Sequence, residues 1–598
     1  MTETTAPATA HTRKGAGIYS SLVVFALALL AGLLSFSVYP ALELYDNGII
    51  VSGADAILQG KLPYKDFWTM YAPGQFYLVA LLFRIFEPQL FIACLIGIVS
   101  KAVMVTLGYM MLRRHLSVHT KWLPAVGTVI LALFLARMGN ETFPAFPAAA
   151  LSMLALMLME RGLAQRRLAL LLAAGAVTGL AACFRHDMGA YTAVALTLGT
   201  TFVLKTLQVG AGDILKALGV YIAGLCAIAA PVAAFFLVNV PAHDLYENLV
   251  HIPSAIYPDV RRLPWAGAAM LQKTLASMKS STYPMHTLIS GIREFVVYVP
   301  FLIGFPGLCI SAFSVWQNRK SGKTQGSALP FMFLASLLCL LMTLKGTIRP
   351  SPHHLAQSIV LAVPVGVLML PLVKQAKVTG KLFLIGCLSL ACIPLVATDI
   401  GGYNGVRAGL KNLGAANNFF KRCETPASPR LRCMMAYHPY DKRNVIAADF
   451  LRQRTPPDKP IYVGAGRHDK IFWNAVMMYF MAERPAATKW AELHPGVQTR
   501  AETQQQMIEE MRRTPPSILM LDEAWDRVYE NNLSSKSSGV HILDKWLGKC
   551  YVEAARFETI HLMVPRADGG DYCGGAPALA PFSAPKGKTD ATEAEVAP

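Results

Sequence analysis

Charge is what this chain lacks. Only 15% of its 598 residues are Asp, Glu, Lys or Arg, against about 25% in an ordinary soluble protein. Much of the chain is therefore excluded from a water-facing fold. Acids are the scarcer sign, 37 against 55 basic residues, leaving a net charge of +18. That excess does not mark a nucleic-acid binder, because the basic residues form no single stripe interleaved with aromatics. Other signals are missing too. No small-x-small cleavage site follows the first apolar run, so the run does not read as a secretory signal. No internal repeat stands out. Gly464-Ala-Gly466 follows a strand, but Asp469 breaks the dinucleotide fingerprint. His438, His468 and His494 lack metal-ligand spacing.

What is abundant is apolar. Hydrophobic residues make up 54% of the chain and the mean hydropathy is +0.40. They come in runs of about 18 or more, enough to cross a hydrocarbon core roughly 30 Å thick. Runs near 18–39, 89–112, 122–137, 144–160, 168–184, 188–205, 217–240, 294–316, 328–345, 355–373 and 381–398 predict a polytopic α-helical membrane protein of about eleven spans. Arg113 and Arg114, then Arg161, Arg166 and Arg167, then Lys205 and Lys216 occupy alternate connections. Arg319, Lys320 and Lys323, and Lys374, Lys377 and Lys381, continue the pattern. All fall on the side of Arg13 and Lys14, which puts the N-terminus in the cytoplasm.

The organisation expected is a cytoplasmic tail over 1–17, a membrane domain over 18–399 with an outer loop at 41–88, an extracytoplasmic α/β domain over 400–574, and a disordered Ala/Pro/Lys/Glu-rich end at 575–598. In the α/β domain, Ile461–Val463, Ser517–Leu521 and Arg556–Val564 read as strands, and 443–453, 470–482, 498–513 and 540–549 as helices. Of eleven cysteines, four (Cys423, Cys433, Cys550 and Cys573) lie in this polar part. An even number suits two disulfides in an oxidising compartment. Cys423–Cys433 with Cys550–Cys573 is the simplest of three pairings, and four free thiols are the alternative.

The first outer loop carries the densest signal. It reads Glu43-Leu-Tyr-Asp46-Asn47-Gly48, then Ala54-Asp55-Ala-Ile-Leu-Gln-Gly60-Lys-Leu-Pro63-Tyr64-Lys-Asp66-Phe67, then Tyr71-Ala-Pro73-Gly74-Gln-Phe-Tyr77-Leu78. An acid sits just past the membrane exit, a helix follows, and Gly60 and Pro63 end it. A Pro-Gly turn then opens an amphipathic segment. Over about forty residues this resembles the GT-C superfamily of membrane glycosyltransferases, in the branch of the protein O-mannosyltransferases and aminoarabinose transferases (glycosyltransferase family 39). Asp46-Asn47-Gly48, Pro63-Tyr64, Asp66-Phe67 and Pro73-Gly74 fall in step with that family's pattern.

The resemblance implies an inverting hexosyl or pentosyl transfer at the outer face of the inner (plasma) membrane. The donor would be a polyprenyl-phosphate sugar and the acceptor a glycan, lipid or protein, with the bilayer as surroundings and no nucleic acid as partner. Asp46 is the expected general base, the alternative being a solvated interfacial acid. Asp66 is a weaker candidate that contacts substrate or orients the loop. Arg349, His353 and His354, with Lys345 nearby, are the expected phosphate ligands. Arg185, His186 and Asp187 crowd a short outer turn and either line the site or let Arg185 and Asp187 pair together. Glu141 is a lesser candidate, and Arg293 with Glu294 suit an interfacial anchor. Asn47 stands where the family's second acid is usual. No cofactor is certain: a divalent cation stays open, and no metal ligand is assigned. The rival classes are a transporter or lipid flippase, and a non-catalytic GT-C-like scaffold. A transporter would show paired halves with discontinuous helices.

Overall fold

The computed structural model describes residues 9–38, 40, 42–116, 120, 122–139, 141–317, 328–413, 423, 428–436 and 439–574. Arg319, Lys320, Lys323, His438 and the 575–598 segment lie outside the described residues. The chain forms two compact units, one of residues 1–41 and 69–435 and the other of residues 42–68 and 436–598.

The first unit is helical and polytopic. Eight of its described helices are long and apolar enough to cross a membrane: Ile18–Val38, Leu90–His115, Ala145–Gln165, Ala211–Asn239, Pro284–Gln317, Leu329–Gly346, Pro352–Lys374 and Val378–Lys411. Each of the other three expected spans is also a helix. Trp122–Arg137 and Leu168–Phe184 are shorter apolar helices, and His186–Thr206 is a helix of 21 residues. The count of eleven is thus the expectation, and eight is the number that length and composition support.

The last membrane helix differs from the expected organisation for a physical reason. It runs over Val378–Leu413, well beyond residue 398. Its glycines read as helix breakers, yet here they let helices touch. A Cβ on Gly402 would lie 1.9 Å from the Leu133 carbonyl oxygen, and one on Gly409 would lie 2.3 Å from that of Leu34. Small residues at such crossings let backbones approach closely. The 241–293 connection is itself helical. It holds Ala242–Tyr246, a π-helical stretch Glu247–Ile256, Tyr257–Arg261, Ala268–Ser280 and Pro284–Arg293.

The second unit is α/β. Strands β1 (Ile461–Ala465), β2 (Ile518–Asp522), β3 (Tyr551–Phe557) and β4 (Ile560–Pro565) form a sheet of order β1-β2-β4-β3. β1 and β2 are parallel and the other pairs antiparallel. The single strand expected over Arg556–Val564 straddles the turn of a hairpin, because Glu558 takes a left-handed φ of 51° and turns the chain. The helix expected over 470–482 is confined to Met477–Ala482. The others are Pro439–Arg454, Ala501–Arg513 and Ile542–Cys550. Cys550 joins Cys573 in this unit, and Cys423 joins Cys433 within the first unit.

The loop expected to belong wholly to the membrane domain is divided. Residues 42–68 fold with the α/β unit. Within that unit the helix Asp46–Leu58 packs so closely on 476–477 that a Cβ on Gly48 would lie 2.4 Å from the Met477 amide nitrogen. The Leu44 carbonyl accepts from the Met477 N–H at 2.9 Å, and the Ser52 hydroxyl donates to the Val476 carbonyl at 3.0 Å.

Candidate functional site

In the α/β unit, Asp46 opens the helix Asp46–Leu58, where the positive end of the helix dipole favours an anion. Tyr45 gives that helix no side-chain cap. Glu43 does the work instead, accepting from the Tyr45 N–H at 3.0 Å and the Asn47 N–H at 2.7 Å. Glu492 comes from the other end of the sequence. The Tyr45 hydroxyl donates to its Oε1 at 3.3 Å, while its buried Oε2 meets no donor. Burial, and then the charge of Asp46, push both Glu43 and Glu492 up to about 8. Three carboxyls therefore crowd one place and cannot all carry charge comfortably. Asp66 has a different position: its carboxylate accepts from the Leu62 N–H at 2.8 Å and closes the turn before Phe67.

Sequence reasoning singled out Asp46 and missed Glu492. No local motif surrounds Glu492, and Tyr45 reaches it across 447 positions. A second acidic group also escaped notice. Ligand atoms of Asp469, His541 and Asp544 lie within 4.8 Å of one another. Arg467 already spans both oxygens of Asp469 at 2.7 and 2.5 Å, so this is a charge network with its own cation.

In the membrane unit two of the expected cations, Arg185 and Lys345, lie over aromatic rings. Arg185 lies over Tyr71 at 5.5 Å and over Phe143 at 5.8 Å. Lys345 lies over the same Phe143 ring at 4.9 Å. Tyr71 and Phe143 meet edge to face at 6.3 Å. Arg185 also makes a forked ion pair with Asp187, at 3.0 and 2.5 Å, the pairing that was one of the two readings of that turn. Lys345, Arg349, His353 and Arg185 all act electrostatically on His354. Ser351 caps the helix Pro352–Gln375 by accepting from the His354 N–H at 3.4 Å, and its hydroxyl meets His354 Nδ1 at 2.7 Å. Arg349 donates to the Arg261 carbonyl at 3.4 Å. His353 lines a narrow apolar recess with Met104 and Phe146.

The remaining candidates are occupied elsewhere. His186 bonds the backbone at Leu249. Glu141 pairs with Lys101 at 2.5 Å, in a buried ion pair that the Met138 carbonyl completes. Arg293 pairs with its neighbour Glu294 at 3.1 Å.

A multispan unit followed by a small mixed α/β unit has a counterpart among solved structures. The chain shares its fold with solved structures of ArnT. ArnT from Cupriavidus metallidurans, bound to undecaprenyl phosphate, superposes with a TM-score of 0.51 at 13% identity, over 92% of this chain and 98% of that one. Its apo form gives 0.51 at 12% identity, over 93% and 99%. The mycobacterial arabinofuranosyltransferase AftD gives 0.42 at 13%, over 92% of this chain and 40% of that one. No family model matches the sequence, and no curated protein is similar to it.

Proposed function

We propose that the chain is a membrane glycosyltransferase that takes a sugar from a polyprenyl-phosphate donor and passes it, with inversion, to an acceptor outside the cytoplasm. The cationic group on Tyr71 and Phe143 is the observation that carries this reading. Arg185, Lys345 and Arg349 belong to the membrane unit, where ionisable side chains are costly and mark function. Guanidinium groups suit a phosphate through paired N–H donors. A dianionic or monoanionic phosphate leaving with the lipid would be stabilised by such preplaced cations. The fold shared with ArnT, whose structure holds undecaprenyl phosphate, supports the same donor class.

Asp46 takes the acceptor's proton. The neighbouring Glu43 and Glu492, raised by burial and by Asp46, are predominantly protonated at neutral pH. They leave the negative charge to Asp46. The two disulfides suit an oxidising compartment, so the α/β unit is assigned to the extracytoplasmic side.

The test is consumption of polyprenyl-phosphate monosaccharides by the full chain in nanodiscs, with release of polyprenyl phosphate as the readout. Asp46→Asn should lose about a hundredfold or more in rate, the usual contribution of a general base. Arg349→Ala should raise the donor KM. Wild-type turnover in Asp46→Asn removes the base, and no consumption of any donor by the wild type removes the transferase.

A further inference from the structure

The α/β unit holds a feature that the phosphate chemistry does not use. Tyr440, Phe472, Trp473 and Trp525 form a chain of touching rings, all partly open to solvent. Trp473 and Trp525 meet edge to face at 4.4 Å. Phe472 stacks on Trp525 at 5.9 Å and tilts against Trp473 at 4.9 Å. Tyr440 meets Trp525 edge to face at 5.2 Å. A cluster built only for stability would be sealed, as the core of this unit is, with Tyr462, Phe480 and Tyr551 fully buried.

The surroundings say what sort of ligand suits these rings. The Trp525 indole N–H donates to the Tyr440 hydroxyl at 2.6 Å, and Arg443 lies over the Tyr440 ring at 4.8 Å. Next to Trp525 in the chain are Glu523 and Asp526, both reaching the solvent. Burial and the charge of Glu523 push Asp526 up to about 7, so it can both donate and accept hydrogen bonds near neutral pH. An acyl chain would find these polar groups a cost. A pyranose would use both halves: its C–H face packs on a ring whose π-face is negative, and its hydroxyls bond the rim.

We propose that Trp473 and Trp525 form the floor of a saccharide subsite on the α/β unit. Trp473 also stacks on Tyr45 at 5.5 Å, immediately before Asp46 in the chain. Given the transferase reading, the sugar held there is the acceptor's. Binding itself does not rest on that reading.

The experiment uses full-length Asp46→Asn protein in nanodiscs without donor, free of sugar detergents. Glucose, galactose, mannose, xylose and N-acetylglucosamine are titrated one at a time, with tryptophan fluorescence and saturation-transfer NMR as readouts. At least one should bind saturably. Trp473→Ala and Trp525→Ala should weaken it about three- to tenfold, the contribution of an aromatic contact, while Trp525→Phe should stay within about twofold of its parent. Equal binding by both alanine variants, binding of none of the five sugars, or displacement of the sugar by 1-decanol would overturn the subsite. Because no turnover is measured, failure of the transferase reading leaves this result standing, and the reverse holds as well.

Discussion

Glu492 is nearly out of reach of water, with 4% of its surface exposed, and it sits beside an aspartate. Its carboxyl is pushed up to about 8 from an ordinary 4.5. Such a group favours the folded state fully below about pH 4.5, and that stability is lost as pH rises through about 8. The full swing is on the order of a few kcal/mol. Glu492→Gln should therefore melt close to wild type at pH 5 and several degrees above it at pH 9, read by thermal denaturation of the α/β unit's near-UV signal. A larger loss of stability at pH 9 in the variant would mean that Glu492 is held as an anion. At this scale the sequence was informative wherever a residue sat in a local pattern. Asp46 stood out as an acid at a membrane exit, and Arg185 and Arg349 as cations on the side opposite the basic connections. Glu492 was not legible, because only folding brings it to Tyr45. Asp66 was legible as a loop acid, and the structure uses it to close a turn.

The helix Val378–Leu413 shows what an element can hide. Hydropathy fades after about residue 398, where Asp399, Gly401 and Gly402 follow, so the composition reads as a boundary. Glycine is a poor helix former in water, yet between helices in lipid its missing side chain permits contact. Gly402→Ala should clash with Leu133 and cost about 1–3 kcal/mol. Gly386→Ala on the same helix, where a Cβ would meet nothing within 4 Å, should be neutral or slightly stabilising. Comparing the two by detergent melting temperature and folded yield separates packing from helix propensity; equal effects would refute the packing role. The hairpin of β3 and β4 was misread for a related reason. Apolar alternation ran through Phe557 and Ile560 while the turn hung on the φ of Glu558 alone, which composition does not report.

For the whole molecule, the alternation of basic connections predicts the N-terminus inside and the α/β unit outside. Alkaline phosphatase fused after residue 574 should be active, and green fluorescent protein fused there dark. The opposite result would reverse every assignment of side. The fold class was legible because lipid imposes a strong rule, that each backbone polar group be satisfied within a helix. The partition into units was not, since the 42–68 segment looks in sequence like any outer loop.

That partition has a temporal meaning. The ribosome delivers Asp46 early, but the residues that cradle its helix, from Val476 to Glu492, emerge only after the last membrane helix. A chain halted anywhere before then carries the acid without its setting. The Asp46 carboxylate in this way lacks its surroundings until synthesis is nearly complete, and a half-made chain already threaded into lipid holds only part of the proposed centre.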